Sequence, residues 1–298
     1  MFSRRHPFLF FAMFMVGCIT LLMLGGAAFL LIGAKLMGNH SLYSAPGGNV
    51  GIVEVSGPIL SSKKVIQEIA TFREDDAIKA IILRIDSPGG GIGPSQEIYR
   101  ELVKTRRMKK VVVSMGSVAA SGGYYIAAAA DKIVANPGTI TGSIGVIMEY
   151  ANLMKIAEKI GISPVVIKSG KYKDMGSPLR ELREEEKLIF QGLVDELHRQ
   201  FVKDMAIARN MDLDTMAALA DGRVYTGQKA LSLKLVDRLG NLDDAVQWAG
   251  NLAEIKGKPI PVYPKEDRIS VFKEWAQTLL KDLNISGAIT DNFRYVIN

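Results

Sequence analysis

Cysteine is nearly absent. Cys18 is the single one among 298 residues, which excludes an intramolecular disulfide framework and any zinc site built on cysteine. Histidine is almost as scarce: His6, His40 and His198 fall in an N-terminal tail, a linker and a charged helix, so none is placed as a catalytic base. Aromatic residues make up 7% of the chain and no basic run interleaves with them, so a nucleic-acid footprint is not indicated despite a net charge of +6. The densest basic cluster, Lys104, Arg106, Arg107, Lys109 and Lys110, falls where a helix should end, an ordinary place for cations. There is no internal repeat and no low-complexity segment. No metal site and no cofactor is expected.

Charge is missing altogether from Pro7 to Ala34. That run exceeds the about 20 apolar residues needed to cross a hydrocarbon core and the shorter apolar stretch of a cleavable signal peptide. It predicts an uncleaved transmembrane anchor within residues 1–36. Arg4 and Arg5 precede the run and only Lys35 follows closely, which puts the short N-terminus in the cytoplasm and the rest of the chain outside the inner membrane. Residues 37–48, rich in Gly, Ser, Asn and Pro, read as a linker.

From residue 49 to 262, strand and helix signals alternate. Strands are predicted over 50–55, 80–85, 111–115 and 132–135, with helices over 61–72, 96–106 and 121–130 between them. The order argues for an α/β domain with a mostly parallel sheet covered by helices. A further strand is expected at Pro164–Ile167, long amphipathic and shorter helices over 183–209 and 213–220, and an N-cap at Thr226. The tail, 263–298, carries Val271, Phe272, Trp275, Leu279, Leu280 and Leu283 on one possible helical face.

The organising stretch is Val111–Ala130, in which one hydroxyl, Ser121, stands between a buried strand and an alanine-rich helix. Ala119, Ala120, Gly122 and Gly123 leave little bulk around it, so a carbonyl could approach and backbone N–H groups could face it. Small residues would also simply let a helix pack closely on a sheet. A serine nucleophile needs a base, and with histidine misplaced the base should be a lysine or a carboxylate. A lysine must be desolvated to act so at neutral pH. Lys168, Lys171 and Lys173 follow a predicted buried strand and are the lysines to consider. Ser143, in Thr141-Gly-Ser-Ile-Gly, either orients an amine or caps a turn. Ser87-Pro-Gly-Gly-Gly offers either an oxyanion donor or a tight strand-to-helix loop.

Five separated motifs then agree in order and approximate spacing: Asp86-Ser-Pro-Gly-Gly-Gly, Ser114-Met-Gly-Ser-Val-Ala-Ala-Ser-Gly-Gly-Tyr-Tyr-Ile, Thr141-Gly-Ser-Ile-Gly-Val, Lys168-Ser-Gly-Lys-Tyr-Lys-Asp and Asp221-Gly-Arg-Val-Tyr-Thr-Gly. Over about residues 50–250 the chain closely resembles the signal peptide peptidase A family, membrane-anchored bacterial serine proteases with the Clp protease/crotonase-like fold. The resemblance implies Ser121 as nucleophile, Lys173 as general base, Ser143 as the hydroxyl that orients the lysine, and the N–H groups of Gly90 and Gly122 as oxyanion hole. It implies the short, single-copy type, a homo-oligomer whose active sites are shared between protomers, and apolar substrates such as released signal peptides at the membrane. Two other readings carry different chemistry. A catalytically silent scaffold could bind apolar peptides in the same groove, and a crotonase-like acyl-CoA enzyme shares the fold but fits badly with an extracytoplasmic domain.

Overall fold

The computed structural model describes residues 47–264 and scattered positions between Phe8 and Gly25. The latter are helical and belong to a unit, Met1–Ser44, separate from the unit Ala45–Asn298. Most of the expected anchor and the expected tail helix lie outside the described residues. Among those described, no helix is long and apolar enough to cross a membrane.

The described elements run β1 (Val50–Ser56), α1 (Lys63–Glu74), β2 (Ala80–Ser87), α2 (Ile92–Thr105), β3 (Lys110–Ala120), α3 (Gly122–Ala128), β4 (Lys132–Ala135) and β5 (Ile140–Gly142), and then α4 (Met154–Lys159), α5 (Glu184–Arg209), α6 (Leu213–Leu219), β6 (Val224–Thr226), α7 (Gly227–Ser232), β7 (Arg238–Leu239), α8 (Leu242–Leu252) and β8 (Pro261–Val262). The strands join one mixed sheet in the order β6-β5-β3-β2-β1-β8, with β4 and β7 branching from β3. Among the described strands only the β5–β6 pair is antiparallel. The α/β, parallel-dominated architecture follows from strands such as Ile81-Ile-Leu and Val111-Val-Val, which are apolar on both faces and therefore need cover on both.

That cover is unequal. Val53, Leu83, Ile85, Val113 and Met115 pack with α1, α2, α3 and α5 in the larger core, while Ile52, Ile82, Val112 and Val134 meet Ala245, Val246 and Ala249 of α8 on the other face. Each fully buried Ile or Leu contributes about 1.5–3 kcal/mol of transfer free energy. β3 is long enough to serve two partners on one edge. Its first half pairs with β4 (Val112↔Lys132) and its second with β5 (Val118↔Ile140), so the sheet forks around it.

Sequence expectations and structure agree on the first four strands and on the helices between them, with shifted ends. β3 runs five residues past the expected Met115, because Asp86 accepts the Val118 N–H at 3.1 Å and β5 pairs with the extension. Thr226 caps α7 by accepting the Lys229 N–H at 3.2 Å. The expected strand at 164–167 is a correction: the segment joins no sheet, and Val165 and Ile167 are 87% and 97% exposed. Its β-branched residues carry the apolar signal of a strand, yet among the described residues no neighbour receives them.

Candidate active site

β3 ends at Ala120 and α3 begins at Gly122, so Ser121 alone makes the turn, at φ 51° and ψ −120°. Holding a non-glycine residue there costs about 1–3 kcal/mol and needs surroundings that over-determine it. They do: the Ser121 N–H donates to the Gly142 carbonyl at 2.9 Å, and the Ser121 carbonyl accepts the Tyr125 N–H at 2.9 Å, starting α3. The half-buried Ser121 side chain is thereby thrust out at the C-terminal rim of the parallel strands.

The glycine loop comes to the same rim. Beyond β2, the Ser87 hydroxyl accepts the Gly89 N–H at 3.1 Å. Ile59 donates to Gly89 O at 2.9 Å and accepts the Gly91 N–H at 2.8 Å, so this short ladder uses the residues either side of Gly90. Among the described residues nothing receives the Gly90 N–H. Gly122, first in α3, has an N–H with no intrahelical acceptor. A methyl group on Gly122 would stand 3.3 Å from Gly90 N, and one on Gly89, whose φ is +105°, would stand 2.7 Å from Gly122 N and 2.8 Å from Ser121 Cβ. Two uncommitted donors and one hydroxyl therefore converge where only glycine backbone fits. The arrangement can stabilise an oxyanion on a carbonyl attacked by Ser121.

Ser95 escaped the sequence reading. Its hydroxyl, buried in the first turn of α2, donates to Gly91 O at 2.8 Å and lies 2.5 Å from where a Gly122 Cβ would be. It links the two halves of the glycine slot. Only its i+4 spacing from Gly91 hints at this in the sequence.

Ser143 follows the carbonyl that receives the Ser121 N–H, so the two serines are neighbours across β3 and β5. It too has positive φ, 50°, and its N–H donates to Arg223 O at 2.8 Å. The Asp221-Gly-Arg-Val-Tyr motif thus braces the Ser143 turn, with Asp221 pairing Arg223. Lys173 is exposed on the turn 171–176, and among the described residues no hydrogen bond joins it to Ser121 or Ser143. Its neighbours are engaged: Lys168 pairs with Asp174 at 2.6 Å and Lys171 with Glu185 at 2.5 Å. Hydrogen bonds from Arg180 first, and Lys168 second, hold the Asp174 carboxyl down at about 2. Among the described residues no group of His, Cys, Asp or Glu could hold a metal ion.

A parallel α/β sheet presenting a strained serine beside free backbone donors defines a hydrolase of the acyl-transferring kind. The sequence model of peptidase family S49 matches residues 104–256, and that of Clp protease matches residues 51–140. Slr0021 of Synechocystis sp., named as a protease, is 48% identical over 245 residues, covering 80% of this chain and 88% of that one. The chloroplastic serine protease SPPA of Arabidopsis thaliana is 39% identical over 70% of this chain, and Protease 4 of Salmonella typhi 34% identical over 75%. The chain spans only 32% and 38% of these two longer relatives. The chain belongs to peptidase family S49 and is a serine peptidase.

Proposed function

We propose that the protein is a membrane-anchored endopeptidase that uses Ser121 and Lys173 to degrade released signal peptides and other apolar peptides at the membrane. Ser121 Oγ attacks the scissile carbonyl as Lys173 Nζ takes its proton. The Gly90 and Gly122 N–H groups hold the oxyanion, and Ser143 orients the amine. Lys173 then protonates the leaving amine, and water releases the acyl group. The observation that carries this reading is the convergence of the Ser121 turn with the two glycine donors.

The lysine completes the site from a neighbouring protomer. A base of this type has to be desolvated, whereas Lys173 is exposed in a single chain. The same region leaves Ile147, Ile156, Ile160, Val165, Ile167 and Leu188 in solvent, an apolar surface suited to contact between copies. In this reading residues 7–34 anchor the chain with its N-terminus in the cytoplasm and its peptidase domain outside. Tethering raises the effective concentration of enzyme beside its membrane substrates.

Ser121→Ala and Lys173→Ala should each abolish cleavage of an apolar fluorogenic peptide without loss of fold. Mixed oligomers of the two variants should recover up to about a quarter of the wild-type sites, since half the serines then meet half the lysines. Wild-type turnover in both single variants would sink the mechanism.

A further inference from the structure

We infer that Arg180 and Lys168 are positioning residues for Lys173: together they occupy both oxygens of the adjacent Asp174 carboxylate and deny Lys173 the counterion that would keep it protonated. The inference deepens the reading of Lys173 as base and rests on it. One Asp174 oxygen accepts Lys168 Nζ at 2.6 Å and the other accepts Arg180 Nε at 2.9 Å. Arg180 also donates to the Asp174 carbonyl at 3.0 Å and sends its two terminal nitrogens to Glu186 at 2.8 and 2.7 Å. The Glu186 side chain is wholly buried in the first turn of α5 and accepts the Arg183 N–H at 3.0 Å as well. Arg180 is therefore a bracket between a helix start and the lysine turn.

The surrounding charges follow the same pattern. Glu185 is taken by Lys171, Glu184 by Lys187, and Glu186 by Arg180 and Arg183, while Tyr172 lies 3.4 Å from Glu185. Beside Ser143, Asp221 is taken by Arg223. Glu181 is exposed. Four acids around the turn and the start of α5, and Asp221 beside Ser143, thus have cationic partners other than Lys173. A lysine facing a bare carboxylate releases its proton only at higher pH, so this distribution favours the neutral amine that a base requires.

The test is the acid limb of the pH dependence of kcat/KM. Asp174→Asn removes one negative charge beside Lys173 and leaves Lys168 without its carboxylate while Arg180 keeps Glu186, and the limb should move to lower pH by about half a unit to one unit. Arg180→Gln frees one carboxylate oxygen, and the limb should move up by a similar amount, with the rate at neutral pH falling about 3–10-fold. The Asp174→Asn/Arg180→Gln pair should return toward wild type, and Arg180→Lys, which keeps the charge, should leave the limb near its place. A uniform loss of rate with an unmoved limb in both Asp174→Asn and Arg180→Gln overturns the inference. Lys173→Ala separates the two levels: activity retained there overturns the base assignment itself, whereas an inactive Lys173→Ala with unmoved limbs overturns only the role of Arg180 and Lys168.

Discussion

Gly122→Ala sets two local preferences against each other. Alanine is favoured over glycine inside a helix by about 1 kcal/mol, and nothing at Gly122 demands a left-handed backbone. The added methyl, however, would stand 2.5 Å from Ser95 Oγ and 3.3 Å from Gly90 N. Ser95 is buried and cannot swing out, so either its bond to Gly91 breaks, at about 1 kcal/mol, or the slot opens, an overpacking cost of about 1–3 kcal/mol. With the propensity gain set against either cost, stability should fall by no more than about 2 kcal/mol, about 2–4 °C in Tm per kcal/mol for a domain of this size. The rate should fall further. Parting the two donors is comparable to removing one, about 10²–10³ in kcat, with KM changed by no more than about threefold. Initial rates on a fluorogenic apolar peptide and thermal melts by circular dichroism read both. Adding Ser95→Ala removes the obstructing hydroxyl, so the double variant should be faster than Gly122→Ala alone. Wild-type kcat in the single variant, or a double variant no faster than it, would refute the geometry.

Other expectations are simpler. Ser95→Ala alone should lower kcat about 3–10-fold with KM nearly unchanged, since one positioning hydrogen bond is lost; unaltered kcat would remove Ser95 from the slot. Gly89→Ala forces a side chain to φ +105° against Gly122 N and should cost at least about 2 kcal/mol in a denaturant midpoint. Asp174 is held at about 2 against an ordinary 3.8, and Glu186 is also lowered, by Arg180 and then Arg183. Groups depressed in the folded state stabilise above their unfolded values and lose that contribution as pH falls through the folded ones. Amide protection over residues 168–186, taken relative to the intrinsic exchange rate at each pH, should therefore fall between about pH 4 and 2 before that of the parallel sheet, and simultaneous loss of both would contradict this. Ile167→Asp should shift the oligomer toward monomer by light scattering and reduce activity in parallel; an unchanged mass would remove this segment from the interface.

Much of the fold was legible because its signal is local. The apolar runs at Val50, Ala80 and Val111 and the amphipathic helices between them read alike in sequence and structure. β5 to β8 span two or three residues each, too few to carry a period, and their pairing is imposed by the edges that β3, β1, β5 and β4 leave open. Pro164–Ile167 failed for the opposite reason: a β-branched apolar run reports that a segment seeks cover, not where that cover comes from. In the site, Ser121 and the glycines were visible through their small neighbours. Ser95 was not, because its importance arises only where α2 comes against Gly122. Asp174, Arg180 and Glu186 were not legible as a group, because only the fold lets one guanidinium join the two carboxylates.

Because β1, β2 and β3 begin level with one another, Val50 beside Ala80 and Ala80 beside Lys110, the segment leading into β1 arrives at the bottom of the sheet, while the nucleophile crowns the top. At about 3.3 Å per residue, the eleven steps from Lys110 to Ser121 put up to about 36 Å between entry point and nucleophile. A surface or bead grafted at Gly47 would accordingly hold the domain by its foot and leave the working edge open to incoming peptide.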